Sequence, residues 1–115
     1  MKVQQSYSFD DLGLVPLVKS EVESRNDINT SCKFLDLNLS LPVVSAPMEK
    51  TTGVDLAVAL QNAGGLPFLP RTDDFKTDLQ TFKTIFLTNP NVVPSIPSNQ
   101  DHDWKFELFY EEGAK

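Results

Sequence analysis

Few residues in this chain have the chemistry of a nucleophile, a base or a metal ligand. Cys32 is the only cysteine and His102 the only histidine. Single copies of each exclude an internal disulfide, a cysteine-based metal site and a multi-histidine metal cluster. Cys32 has Lys33 beside it, and a neighbouring cation lowers a thiol pKa. His102 stands between Asp101 and Asp103, a setting that would suit proton transfer. Acids at a helix start are also what the helix dipole favours, so an exposed residue at a helix start is the simpler reading. Glu49 follows a short apolar run and would either orient a ligand hydroxyl or sit in solvent as a loop carboxylate. The pair Glu111-Glu112 reads as a solvated face. No GxGxxG or Walker-type phosphate loop is present. No complete catalytic set can be assembled from these residues.

The elements that would position such groups are organised around Leu41-Pro42-Val43-Val44-Ser45-Ala46-Pro47-Met48. Residues 42–45 form a short apolar run, β-branched at Val43-Val44, suited to a buried parallel strand. Pro47 turns the chain out of the sheet. Thr52 is placed to cap the next helix, with Asp55 three residues on. Val54, Ala57, Val58 and Ala59-Leu60 supply that helix's buried face, and Gly64 fits its stop position. Leu66-Pro67-Phe68-Leu69 is a second strand. Asp73 or Asp74 caps a second helix, running to about Leu87. In it Phe75, Leu79, Phe82 and Phe86 make one stripe at i, i+4, i+7 and i+11, a core-packing pattern. Residues 91–96 form a third strand. Asp101 or Asp103 starts a third helix through Glu112, with Trp104 and Leu108 on one face. Residues 34–41 alternate apolar and polar, the signature of a half-buried strand. Residues 1–40 therefore form an arm with short strands or hairpin pieces, and residues 41–115 form βα units in one domain.

Composition narrows the class of function. The chain has 115 residues, 40% hydrophobic and 23% charged, with a net charge of -6. That describes a folded α/β domain rather than a disordered one. The acidic balance leaves no basic stripe for nucleic acid, yet a pocket for one nucleotide needs only a few local donors. No signal peptide or membrane-length apolar run is present, so a cytoplasmic setting is expected, with no membrane partner.

Five pieces, in order and spacing, resemble the opening of the IMP dehydrogenase/GMP reductase family. They are Phe9-Asp10-Asp11-Leu12-Gly13-Leu14-Val15-Pro16; Ser24-Arg25-Asn26-Asp27-Ile28; residues 41–48; Leu56-Ala57-Val58-Ala59-Leu60; and Gly64-Gly65. The resemblance is strong over residues 7–71 and weaker beyond. It implies part of a TIM (β/α)8 barrel: the N-terminal arm plus about the first three βα units, where a whole barrel takes about 250 residues. It implies a purine-nucleotide oxidoreductase acting on IMP or GMP with NAD or NADPH. Ser45, Ala46 and Met48 match the substrate loop, with Met48 against the purine. Ser24 and Arg25 match an arm pair that reaches the cofactor across a subunit boundary, and Arg71 matches a basic cofactor contact. For Met48 the plain alternative is packing beneath the loop; for Ser24 it is a turn or cap.

The departures are specific. Glu49 stands where the family usually has Asp. Pro67 and Pro70 replace a Gly and a His of the family's Gly-Gly-x-Gly-x-x-His run before Arg71. The regulatory CBS pair carried by many dehydrogenases is missing. The family's catalytic cysteine, through which oxidation proceeds as a thioimidate, would lie beyond residue 115, so Cys32 is not its counterpart. The expectation is an inactive portion or split part of such an enzyme, completed by the rest of the barrel or by a homo-oligomer. Two alternatives stand beside it: a non-catalytic interaction or regulatory fragment pairing with a full barrel, and a free-standing small α/β nucleotide binder.

Overall fold

A computed structural model describes residues 5–16, 19, 21–98 and 102–114. The arm contains two 3-10 turns, Phe9–Asp11 and Arg25–Asp27, and one antiparallel hairpin. The hairpin joins β1 (Cys32–Phe34) to β2 (Leu37–Leu39), with Cys32 opposite Leu39. The strand signal over residues 34–41 is thus divided by a two-residue turn at Leu35 and Asp36, and the arm holds the kind of hairpin piece expected for it. An apolar-polar pair in a turn continues the period-two pattern, so alternation could not reveal it. Leu35 pays for the turn with φ 53°, a region unfavourable for a bulky residue.

The body alternates short parallel strands with helices. Residues 41–45 join the sheet through one parallel bridge, Val44 to Leu66. The helix α1 (Val54–Asn62) follows, then β3 (Phe68–Leu69), α2 (Phe75–Thr88), β4 (Val93–Pro94) and α3 (Asp103–Glu111). β3 and β4 are parallel, with Phe68 opposite Val93. The spatial order is therefore first, second, third, each strand beside its predecessor. Pro67 does not spoil this ladder: its carbonyl accepts the Val93 N–H at 3.0 Å, the bond a proline can still make. Asp74 is the α2 cap, its carboxylate accepting from the Lys76 N–H at 3.1 Å. His102 is the cap residue of α3; Asp101, the other expected start, and residues 99–100 of the preceding loop lie outside the described residues.

Packing gathers where the α2 stripe meets β3 and α3. Ala57, Leu69, Phe82, Ile85, Val92 and Phe109 form the buried core, with Phe75, Leu79 and Phe86 against it. Phe82 has no exposed surface. Its ring stacks on Phe86 at 5.4 Å and meets Phe109 edge-on at 5.3 Å, both favourable aromatic geometries. Phe109 in turn meets Phe75 at 5.4 Å, which joins α3 to the first turn of α2.

Two polar devices lock α1 in place. Its C-terminal end closes with paired bonds, Gly64 N–H to Gln61 carbonyl and Gly65 N–H to Leu60 carbonyl, each 2.9 Å, with Gly64 at φ 89°. This is the glycine stop the sequence suggests, and the same closure ends α3 at Gly113 and Ala114. The second device has no sequence signal. Gln61 is buried, and its Nε2 donates to the carbonyls of Asn89 at 2.9 Å and Asn91 at 3.0 Å. It clamps the α2–β4 turn to α1.

The arm adds little to this core. Phe9, Leu14 and Val15 are almost fully exposed. The Cα radius of gyration is 18.3 Å, against about 13 Å for a compact chain of this length. Val43, Val44, Phe106 and Tyr110 also remain exposed. Among the described residues, no helix is long and apolar enough to cross a membrane.

Candidate functional site

The loop leaving the first parallel strand is held shut by its own backbone. The Met48 carbonyl accepts from the N–H groups of Thr51 and Thr52, both at 2.8 Å. The Ala46 carbonyl accepts the Met48 N–H at 2.8 Å and the Thr52 hydroxyl at 2.6 Å. Thr52 is buried, and this bond replaces the expected helix cap. Gly53 occupies the cap position without a side-chain bond. The chain reaches α1 one residue later than the Thr52–Asp55 spacing suggests, because the hydroxyl is committed to closing the loop. The closed loop holds Met48 out, 59% exposed, so it does not pack beneath the loop. Thr52→Val keeps the shape and leaves the Ala46 carbonyl without this donor. It should cost about 1–3 kcal/mol in urea unfolding, while Thr52→Ser should keep most of the stability.

Ser45 performs a sheet-like task. Its Oγ accepts the Phe68 N–H at 2.9 Å and donates to the Phe68 carbonyl at 3.3 Å. One hydroxyl thus satisfies both backbone groups of a β3 residue. The Ser45 backbone N–H bonds the Leu66 carbonyl at 3.2 Å. The loop is thereby registered against the second strand.

A cleft of about 1000 Å³ opens over the carboxyl ends of the parallel strands. Each βα unit contributes to it: Glu49 from the loop after the first strand, Arg71 to Asp74 after β3, and Pro97, Ser98, His102 and Lys105 after β4. This is the end at which parallel α/β folds bind ligands. Arg71 is exposed and Lys105 half-buried. Among the described residues the one ion pair is Lys83–Glu112 at 2.6 Å, so neither cleft cation is spent on a carboxylate. Asp74 is held below the usual carboxylate range chiefly by the Thr77 hydroxyl, at 2.7 Å, assisted by the N–H groups of Lys76 and Thr77. It keeps its charge at neutral pH. Thr72 is anchored by two bonds to the Asp78 carboxylate, at 2.8 and 2.9 Å, which steadies the segment carrying Arg71.

The expected site residues therefore divide. Arg71 and Glu49 line the cleft. Ser45, Ala46 and Met48 belong to the closed loop that ends at Glu49. Ser24 and Arg25 do not line the cleft: they sit in the arm, where the Ser24 hydroxyl accepts the Asn26 N–H at 3.2 Å and caps its own 3-10 turn. Cys32 is exposed in the hairpin and is not part of the cleft. Lys105 was missed by sequence reasoning. Its only signal was its position in the first turn of a helix following a strand. Among the described residues no cluster of His, Cys, Asp and Glu could hold a metal ion.

Comparisons with known proteins identify the family. The family model for the IMP dehydrogenase / GMP reductase domain matches residues 6–91. The inosine-5'-monophosphate dehydrogenase of Methanocaldococcus jannaschii is 29% identical over 96 residues, covering 84% of this chain and 19% of that protein. The Streptococcus pyogenes enzyme of the same name is 35% identical over 65 residues, covering 56% of this chain and 13% of that protein. The chain thus spans less than a fifth of the length of these relatives. The crystal structure of inosine 5' monophosphate dehydrogenase from Legionella pneumophila superposes with a TM-score of 0.77 at 28% identity, covering 96% of this chain and 33% of that one. With a family model matching most of its length, the chain belongs to the IMP dehydrogenase / GMP reductase domain family.

Proposed function

We propose that this chain is the N-terminal portion, or one part of a split form, of a purine-nucleotide oxidoreductase of the IMP dehydrogenase/GMP reductase type. It supplies the arm and the first three βα units of a partial barrel, in a cytoplasmic enzyme completed by the remaining units or by homo-oligomerisation. The observation that carries this reading is the cleft over the strand ends, bordered by a closed loop that displays Met48. In this reading Ser45, Ala46 and Met48 shape the nucleotide side, with Met48 against the purine of IMP or GMP. Arg71, Ser24 and Arg25 serve the cofactor, Ser24 and Arg25 by reaching a neighbouring subunit. Arg71 and Lys105, which form no ion pair among the described residues, suit the phosphates of NAD or NADPH, which when bound would accept or donate the hydride. This chain's residues bind and orient; the nucleophilic cysteine comes from elsewhere in the barrel.

Steady-state assays test this. The 115-residue chain alone should neither reduce NAD with IMP nor oxidise NADPH with GMP. Activity should appear when polypeptide carrying the remaining barrel units is added. In that reconstituted enzyme, Arg71→Ala should raise the cofactor KM about 10-fold or more, the loss of one charge-assisted contact. Met48→Ala should act on the nucleotide KM instead. Turnover by the chain alone would show that the catalytic groups are wrongly placed here.

A further inference from the structure

The helix α3 lies outside the residues that the family model matches, 6–91, and it carries more than its core contacts require. Its inner side is committed. Phe109 is buried, Trp104 meets Phe75 edge-on at 4.9 Å, and Lys105 Nζ lies 5.1 Å from the Phe75 ring centre. Its other side is open. There Phe106 and Tyr110, one turn apart, stack at 6.1 Å with their rings 17° from parallel. They are nonetheless 57% and 65% exposed. Beside Phe106 two hollows, of about 460 and 250 Å³, run between α3 and the outer edge of β4 and meet at Ile96. Val93 and Pro94 line the inner one. Aromatic pair and hollows together make an apolar groove along α3.

The charges beside the groove select its occupant. Asp103, Glu107 and Glu111 follow one another at i, i+4 and i+8, so they form a ridge on the open side. All three are exposed, and none pairs with a lysine or arginine among the described residues. Like charges at that spacing disfavour the helix itself, and an acid in the last turn opposes the helix dipole. A second copy of the chain fits poorly. The chain carries a net charge of -6, and a twofold contact would set these acids against themselves. The arm fits no better, since its exposed Phe9 is followed by Asp10 and Asp11. An added strand would find no donor at the β4 edge. The Val93 N–H points inward to Pro67, the Val92 N–H is taken by the Pro90 carbonyl at 3.0 Å, and Pro94 has none. We propose that the groove docks a basic amphipathic helix of another polypeptide. Its apolar stripe lies over Phe106 and Tyr110, and its lysines or arginines lie along Asp103, Glu107 and Glu111. This is helix-in-groove recognition, and it uses neither the nucleotide cleft nor a completed barrel.

The test uses the 115-residue chain and a fluorescein-labelled helical peptide of about 18 residues, or five turns. The peptide has a leucine stripe flanked by lysine and arginine. Two controls share its length: one with glutamate at every basic position, and one with the same composition scrambled to abolish the stripe. Fluorescence anisotropy should show saturable binding of the basic peptide, at least about 10-fold tighter than either control. Phe106→Ala should weaken it about 10-fold or more, as expected for an aromatic anchor. Reversing two charges together, Glu107→Lys with Glu111→Lys, should weaken the basic peptide and strengthen the acidic one. Added salt should weaken the basic peptide too, because the pairs are exposed. Phe109 and the core are untouched by these changes, and unchanged helical circular dichroism in the double variant separates lost binding from lost folding. Absence of saturable binding, equal affinity for the scrambled peptide, or indifference to either Phe106→Ala or the charge reversal would each overturn the proposal. Sedimentation of the chain alone should show no dimer that depends on Phe106; a dimer dissolved by Phe106→Ala would give the groove to a second copy and overturn it as well.

Discussion

Phe82→Ala should lower the stability of the βα body by about 3–5 kcal/mol, the cost of deleting a buried aromatic ring. Phe82 is fully buried and touches two other rings, Phe86 on its own helix and Phe109 on α3. Removing it opens a cavity between α2 and α3 and releases the chain of rings that supports Trp104. A domain of this size holds only about 5–15 kcal/mol in total. The variant should therefore lose most or all of its cooperative transition in urea unfolding followed by far-UV circular dichroism. Phe82→Leu should lose less than half as much, because most of the volume is retained. A loss below about 1 kcal/mol for the alanine variant would place the centre of the core elsewhere.

Gly65→Ala should cost about 3 kcal/mol, at the upper end of the overpacking range. A methyl group there would lie 2.5 Å from Leu60 Cδ1 and 2.7 Å from the Val43 carbonyl oxygen. The leucine tip could swing aside. The carbonyl cannot, because it accepts the Leu66 N–H at 3.0 Å and is part of the junction between the first two strands. Any relief has to move residue 43, and with it Ser45 and the loop that displays Met48. Urea unfolding measures the cost. Amide exchange at Leu66 and Phe68 checks the mechanism, since both should lose protection ahead of α2. A stable variant with normal protection there would mean that the two strands sit farther apart.

Much of this fold was legible in the chain. The stripe of Phe75, Leu79, Phe82 and Phe86 is periodic over a whole helix, and long periodic signals identify an element and its buried face together. Gly64 was legible for a related reason, since a left-handed stop leaves few choices of residue. The strand–helix alternation also placed Glu49 and Arg71 at the same end of the sheet. What could not be read were side chains that take over backbone work at long range. Ser45 bonds Phe68, Thr52 bonds Ala46, and Gln61 bonds Asn89 and Asn91. A serine, a threonine and a glutamine look alike in sequence whether they cap, contact a ligand or clamp a loop. Only the fold decides which carbonyl lies in reach. The turn at Leu35 escaped notice because its residues continue the strand pattern.

The way Ser45 joins the first strand to the second has a mechanical meaning. Residues 41–45 are fastened by a few backbone bonds and one hydroxyl, whereas β3 and β4 are backed by α2 and the aromatic core. Tension applied through the arm would load those fastenings one after another, like a seam, rather than all at once. The arm and first strand would then detach at low force while the α2–α3 body stayed folded. The Met48 loop lies on the side of the seam that gives way. Strain arriving along the arm would reach this loop before it reached the core.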